Sequence, residues 1–328
     1  MNLIPKSLSW KTGRGYSNDS LQKITAAAAL LLMCIFFSFA SQYFLRVDNL
    51  LTIAMQTAIT AITAYGMTFV IISAAVDLSI GSTIAVTGVV MAMLVKAGMP
   101  IWSAIIICIA IGSLIGALNG FLVSKMLLPP FIATLGSQMA LRGLSLVITD
   151  ARPVYVDNSP QFKLLAQTKL FSIIPIPVLY MLVLGLVAAF ILRKVVIGRN
   201  IFAVGSNEEA ARLSGINTVK VRIFAYLFSG CMAAIAGILL ASRVNSGQPT
   251  IGVGYEANAI AAAVIGGASM RGGHGSISGT ILGAFIMGVL MNGLNLMNVS
   301  QNWQVFATGL VVIFAVYIDK IRRANSES

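Results

Sequence analysis

From Ile101 to Ser124 the chain reads IWSAIIICIAIGSLIGALNGFLVS, a run without one charged side chain. A helix rises about 1.5 Å per residue, so this run matches the roughly 30 Å hydrocarbon core of a bilayer. Nine more runs of similar character lie at 21–44, 50–73, 79–97, 130–149, 175–194, 221–242, 256–270, 277–297 and 303–319. In lipid the backbone polar groups must be satisfied internally, which leaves helices or closed barrels. Continuous rather than alternating apolar residues exclude the barrel. The fold expected is therefore all-α and polytopic, with about ten transmembrane helices. Composition agrees, since 10% of the residues are charged against about 25% in soluble domains.

Lys and Arg favour the cytoplasmic loops of such proteins. Placing both termini in the cytoplasm puts most of the 22 basic residues on that side, including Arg193, Lys194, Arg199, Arg322 and Arg323. This bias accounts for much of the net charge of +12 and calls for no nucleic-acid partner. The expected organisation is a cytoplasmic tail over 1–20, a membrane domain over 21–319 with a polar cytoplasmic loop at about 195–220, and a cytoplasmic tail over 320–328. Ser38 and Ala40 resemble a signal-peptidase site, but the polar lead is long for a signal sequence, so the first run reads as an uncleaved span. The run 256–270, EANAIAAAVIGGASM, is the weakest, being short and interrupted by glycine. A faint echo links ISAAVDLSIGSTIAV with IGGASMRGGHGSISGTIL.

The chemistry of an enzyme is missing. His274 is the one histidine, so no metal-binding pair or triad base exists. Cys34, Cys108 and Cys231 lie inside apolar runs and read as buried hydrophobes. No phosphate-cradling Gly-x-x-x-x-Gly-Lys-Ser/Thr motif is present. No catalytic residue, metal or cofactor is expected. Ionisable groups inside a membrane are costly and point to function. Asp77, in AAVDLSIGS, reads as the only carboxylate set between apolar spans with almost no polar buffer. It can cap the third span or line a solute path. Arg142 lies near a span end, and Ser79, Asn119, Gln138, Asn258, Asn292 and Asn295 supply uncharged donors and acceptors, as do Gln56, Thr57, Thr60 and Thr63. Such groups suit a neutral polyhydroxy solute, and they also bridge helices.

One polar island stands out, Gly205–Thr218, reading GSNEEAARLSGINT. Ser206 and Glu209 have the spacing of a capping box, and Glu208 with Glu209 suits the first turn of a helix. Ala210, Ala211, Arg212 and Leu213 favour helix, and Gly215 is placed to end it. A helix of about eight residues follows, too short to persist alone in water. It needs a docking surface, either the chain itself as a surface turn or a cytoplasmic partner.

The segment EAARLSG, Glu209 to Gly215, resembles the EAA…G loop of permease subunits of bacterial ABC importers. DLSIGS (Asp77–Ser82), FIATLGSQMALRGLS (Phe131–Ser145), AAIAGILLASRVNSGQPTIGVGYEANAIAAAVIGG (Ala233–Gly267) and NGLNLMNVS (Asn292–Ser300) resemble blocks of the ribose-type monosaccharide permeases. Relatives in that family handle ribose, arabinose, xylose, galactose or allose. The resemblance implies a homodimeric channel in the inner membrane, on two ATP-binding modules that are often one fused double-cassette chain. A periplasmic sugar-binding protein would deliver the ligand, and the helix around Glu208–Gly215 would be the element that couples to the ATPase. Where the family more often has glycine before the aspartate, this chain has Ala74 and Ala75. Nucleosides or a furanosyl autoinducer are alternative cargoes, and an ion-coupled carrier is a further one by mechanism.

Overall fold

The computed structural model describes residues 14–157, 159–171 and 173–327, with side chains across 23–321 of that range. Residues 1–13 of the expected N-terminal tail, with Lys6 and Lys11, lie outside the described residues, as does Ser328. The described residues form thirteen helices: α1 (Arg14–Ala40), α2 (Val47–Ile72), α3 (Ile80–Lys96), α4 (Ile101–Ser124), α5 (Pro130–Ile148), α6 (Pro160–Gln167), α7 (Ile176–Lys194), α8 (Val196–Ser206), α9 (Glu208–Leu213), α10 (Thr218–Val244), α11 (Tyr255–Ile265), α12 (Ile277–Leu296) and α13 (Gln301–Glu327). Four two-residue strands, β1 (Val154–Tyr155), β2 (Lys169–Leu170), β3 (Ile174–Pro175) and β4 (Ser246–Gly247), pair antiparallel as β1–β4 and β2–β3.

Each of the ten apolar runs holds a helix. Eight are long and apolar enough to cross a membrane, namely α1, α2, α4, α5, α7, α10, α12 and α13. The other two are shorter: α3 has 17 residues and α11 has 11. At 1.5 Å per residue α11 rises only about 16 Å. The backbone beside it is partly covered: Gly252 before it and Gly266, Ala268 and Ser269 after it are buried, while Val253 and Arg271 are exposed.

Two long buried helices, α2 and α10, form the centre. α10 packs against α4 and α3, and α2 packs in the same way against α12 and α11, with α5 beside α3 and α13 beside α11. The neighbours of α2–α5 are thus repeated by those of α10–α13. The sequence echo lies elsewhere, between the α2–α3 and α11–α12 breaks, and records a shared helix ending. After α2, Ala74 N–H donates to Ile71 O and Ala75 N–H to Val70 O; after α11, Gly267 N–H donates to Val264 O and Ala268 N–H to Ala263 O. Ala74 (φ 60°) and Gly267 (φ 96°) take the left-handed position that this ending needs.

Helix contact is close because glycines face backbone. A Cβ at Gly112 of α4 would stand 2.5 Å from Gly230 O of α10, and one at Gly66 of α2 would stand 2.7 Å from Ser229 Cα of α10. Small residues at such crossings let helix backbones approach in a membrane. The outer faces of α1, α5, α7 and α13 expose large apolar side chains, among them Phe39, Met139, Leu186 and Ile313. At one end of the bundle α6 covers the close of α10: Ser242 Oγ donates to Phe162 O (2.6 Å) and Gln167 Nε2 to Ser242 O (3.0 Å). At the other end lie α8 and α9.

Candidate functional site

The polar island folds as α9, with differences from expectation at its start. Asn207 is the N-cap; its Oδ1 accepts from Ala210 N at 2.9 Å. Ser206 is instead the last residue of α8, pressed against Gly273 of the α11–α12 loop. With the cap one residue later, Glu209 is no longer at the third helical position, and the expected Ser206–Glu209 box does not form. The helix is correspondingly shorter, six residues from Glu208 to Leu213. Its end follows expectation: Gly215 (φ 83°) N–H donates to Arg212 O and Ile216 N–H to Ala211 O, the paired closure of a left-handed stop.

Six residues have no helical stability of their own, so the surroundings hold α9. Ala211 alone is buried. Glu208 Oε2 meets Arg222 Nη2 of α10 at 2.6 Å, and Asn217 caps α10 through Lys220 N at 3.0 Å. Glu209, Ala210, Arg212 and Gly215 face outward, and Leu213 is 82% exposed. The helix is thus anchored along one edge, through Ala211 and Glu208, and leaves Leu213 uncovered.

Inside the bundle the turn after α2 carries Asp77, which is 1% exposed. Its Oδ1 accepts from Ser79 N (3.0 Å) and Ser79 Oγ (2.6 Å), and its Oδ2 accepts from Ser229 Oγ of α10 (2.8 Å). Asn119 Nδ2 of α4 donates to Ser79 Oγ (2.8 Å), and Ser137 Oγ of α5 donates to Asn119 Oδ1. Both oxygens of the carboxylate therefore have donors, as a buried carboxylate requires. Ser79 N–H is two residues on from Asp77, so the carboxylate closes the turn ahead of α3; no side chain caps α3 at Ser79.

A second cluster surrounds the start of α11. Gln138 Nε2 of α5 donates to Glu256 Oε1, as does Gly254 N, each at 3.3 Å. One turn on from Gln138, Arg142 Nη1 donates to Pro249 O and Ile251 O, both at 2.8 Å. Asp77 is thus not the only carboxylate inside the apolar part, as the sequence suggested: Glu256 is a second. The residue that reveals it is Arg142, four residues after Gln138 and so on the same helix face. Gly81 of α3 and Gly252 press backbone to backbone beside Glu256. The N-termini of the two short helices thereby meet, each with a carboxylate close by, where the dipoles favour negative charge.

The remaining candidates are dispersed. Asn258 Oδ1, on α11, is buried and has no hydrogen-bond partner among the described residues. Asn292 and Asn49 exchange amide bonds, Nδ2 to Oδ1 at 2.8 and 3.0 Å, and Asn295 Oδ1 accepts from Gln304 Nε2 at 2.9 Å. Asn49 is at the start of α2, so these pairs lie at the opposite end of that helix from Asp77. Thr60 and Thr63 hydroxyls bond to carbonyls of their own helix. His274 is exposed in the α11–α12 loop.

A protein-family model described as "Branched-chain amino acid transport system / permease component" matches residues 49–316. The chain belongs to this permease family. The ribose import permease protein RbsC of Haemophilus influenzae is 43% identical to this permease over 294 residues, covering 89% of this chain and 91% of that protein. RbsC of Escherichia coli K12 is 40% identical over 312 residues, 94% of this chain and 97% of that one. The D-allose transport system permease protein AlsC of Escherichia coli K12 is 36% identical over 292 residues, 89% of each chain. No solved structure matches the chain.

Proposed function

We propose that this permease is the membrane subunit of an ATP-driven importer, which carries a neutral ribose- or allose-like monosaccharide across the bacterial inner membrane. The observation that carries the coupling part is α9, a capped helix held by Ala211 and by the Glu208–Arg222 pair, with Leu213 bare. In this reading Ser206, Glu208, Glu209, Ala210, Ala211, Arg212 and Gly215 belong to the coupling element, and a separate ATPase chain supplies ATP hydrolysis. The relatives favour sugar over the branched-chain amino acids of the family description, because ribose and allose permeases align over nearly the whole chain. Amides and hydroxyls in the interior fit a solute rich in hydroxyls and without charge.

The same reading places both termini in the cytoplasm, a second copy of the chain alongside the first, membrane lipid against the exposed faces of α1 and α7, and a periplasmic sugar-binding protein at the α6 end. Gln138 and Asn258, with Glu256, are the candidates nearest a solute path. Asp77, Ser79 and Asn119 act behind it, and Asn292 and Asn295 hold helices together. The test is co-purification of the partner ATPase with Leu213→Asp. Loss of the ATPase from a folded permease is expected; retention of a full complement, with unchanged sugar uptake, overturns the role of α9.

A further inference from the structure

Arg222, Tyr226 and Ser229 follow one another along α10 at spacings of four and three, one stripe of the helix. Each grips another element. Arg222 Nη2 holds Glu208 of α9 at 2.6 Å, the Tyr226 hydroxyl donates to Val76 O at 2.8 Å, and the Ser229 hydroxyl donates to Asp77 Oδ2 at 2.8 Å. From Asp77 the chain of bonds continues through Ser79 and Asn119 to Ser137 of α5. Tyr226, Asp77, Ser79, Asn119 and Ser229 are all buried, so water does not compete for these bonds. Every donor points toward the carboxylate: Ser137 to Asn119, Asn119 to Ser79, Ser79 and Ser229 to Asp77.

The far end of this chain of bonds is α5, a helix with few buried side chains. Only Ala133, Thr134 and Ser145 of α5 are buried, while Phe131, Ile132, Met139, Leu144 and Val147 are exposed. Its inward bonds are polar: Ser137 to Asn119, Gln138 to Glu256, and Arg142 with Ser145 to the carbonyls before α11. Polar bonds have defined partners and break completely when displaced by about 1 Å. A helix held mainly by them has discrete positions rather than a continuum.

We propose that the Arg222–Tyr226–Ser229 stripe and the Asp77 network form a mechanical relay, which passes displacement of α9 to α5 and so sets the open side of the permease. Asp77 is then a positioning residue for translocation and does not touch the cargo. The inference rests on the reading of α9 as the ATPase-coupling element. Both oxygens of Asp77 are occupied by protein donors, Ser229 of α10 on one and Ser79 on the other, and Ser79 passes the link to α4 and α5 through Asn119.

The experiment uses the full complex of permease, its ATPase and its sugar-binding protein in proteoliposomes. Uptake of labelled ribose and ATP hydrolysis are measured together for Ser229→Ala, Asp77→Asn and Tyr226→Phe, with Leu213→Asp as the variant that tests α9. A purely structural role would lower assembly, hydrolysis and uptake in step. The relay predicts that Ser229→Ala and Asp77→Asn assemble and hydrolyse ATP, while sugar imported per ATP falls about tenfold. Tyr226→Phe loses only a hydroxyl, and is expected to shift the ratio in the same direction should the other two fail to assemble. Wild-type sugar-to-ATP ratios in all variants that assemble overturn the relay. If Leu213→Asp also keeps its ATPase and its uptake, the coupling reading itself fails; if it loses the ATPase while Ser229→Ala stays fully coupled, the relay alone fails.

Discussion

Gly66→Ala tests whether the α2–α10 contact sets both the stability and the position of the network. The added Cβ would stand 2.7 Å from Ser229 Cα, 3.1 Å from Ser229 O and 3.3 Å from Met232 Cβ, where ordinary contact begins at 3.4 Å. The nearest atoms are backbone, so no rotamer change relieves the overlap, and the helices must part by about 0.7 Å or more. Overpacking of this kind costs about 1–3 kcal/mol. Alanine in place of a mid-helix glycine returns about 0.5–1 kcal/mol, leaving a net loss of about 0–2.5 kcal/mol with its middle a little above 1. At about 2–4 °C per kcal/mol, the melting midpoint in detergent should fall by several degrees. Gly309→Ala in α13 is the control, since its Cβ meets nothing within 4 Å in the chain; it should melt at or slightly above wild type. The same displacement stretches the 2.8 Å bond from Ser229 to Asp77, so Gly66→Ala should also lower uptake per ATP. Equal melting of Gly66→Ala and wild type would refute the close approach on which the packing argument stands.

Other outcomes follow from individual residues. Gly215→Val places a branched side chain at φ 83° and costs about 1–2 kcal/mol, enough to unwind a six-residue helix; limited proteolysis should cleave at 207–216 in the variant and not in wild type. Ala74→Gly relieves a left-handed alanine (φ 60°) at about 1–2 kcal/mol and adds unfolded-state entropy of about 0.4–1 kcal/mol, so the melting midpoint should rise slightly; a fall would contradict the strained cap. Asn292→Leu takes the donor from Asn49 Oδ1, while Asn49 Nδ2 keeps its bond to Phe44 O, at a cost of about 1 kcal/mol. The double substitution Asn49→Leu with Asn292→Leu should recover part of that loss in a thermal double-mutant cycle, and strict additivity of the two would contradict a coupled pair.

The helices were legible because the bilayer imposes a length and an apolar composition that a one-dimensional reading detects. Ile101–Ser124 and Pro130–Ile148 lie within a residue of the runs expected at 101–124 and 130–149. Even the weak run at 256–270 holds a helix, although α11 stops at Ile265 because Gly267 takes a left-handed turn. Side-chain partnerships were less legible. Ser229 and Ser137 look like any small residue in a membrane helix until α10 and α5 are brought against Asp77 and Asn119. Glu256 was hidden at the edge of a short run, and its partner Gln138 is more than a hundred residues away. The cap of α9 moved from Ser206 to Asn207 because both residue types cap well, and the choice fell to the packing of Ser206 on Gly273. The amphipathic α8 and the folded cap of α6 and the short strands went unread, since none has the length of a span.

The central claim is that ATP drives sugar through this chain by way of a partner ATPase. The direct measurement is accumulation of labelled ribose and allose in proteoliposomes holding the permease, the ATPase and the binding protein, with and without enclosed ATP and with a proton ionophore present. Accumulation that requires ATP and ignores the ionophore is the predicted result; accumulation that proceeds without ATP and collapses with the ionophore would contradict the account.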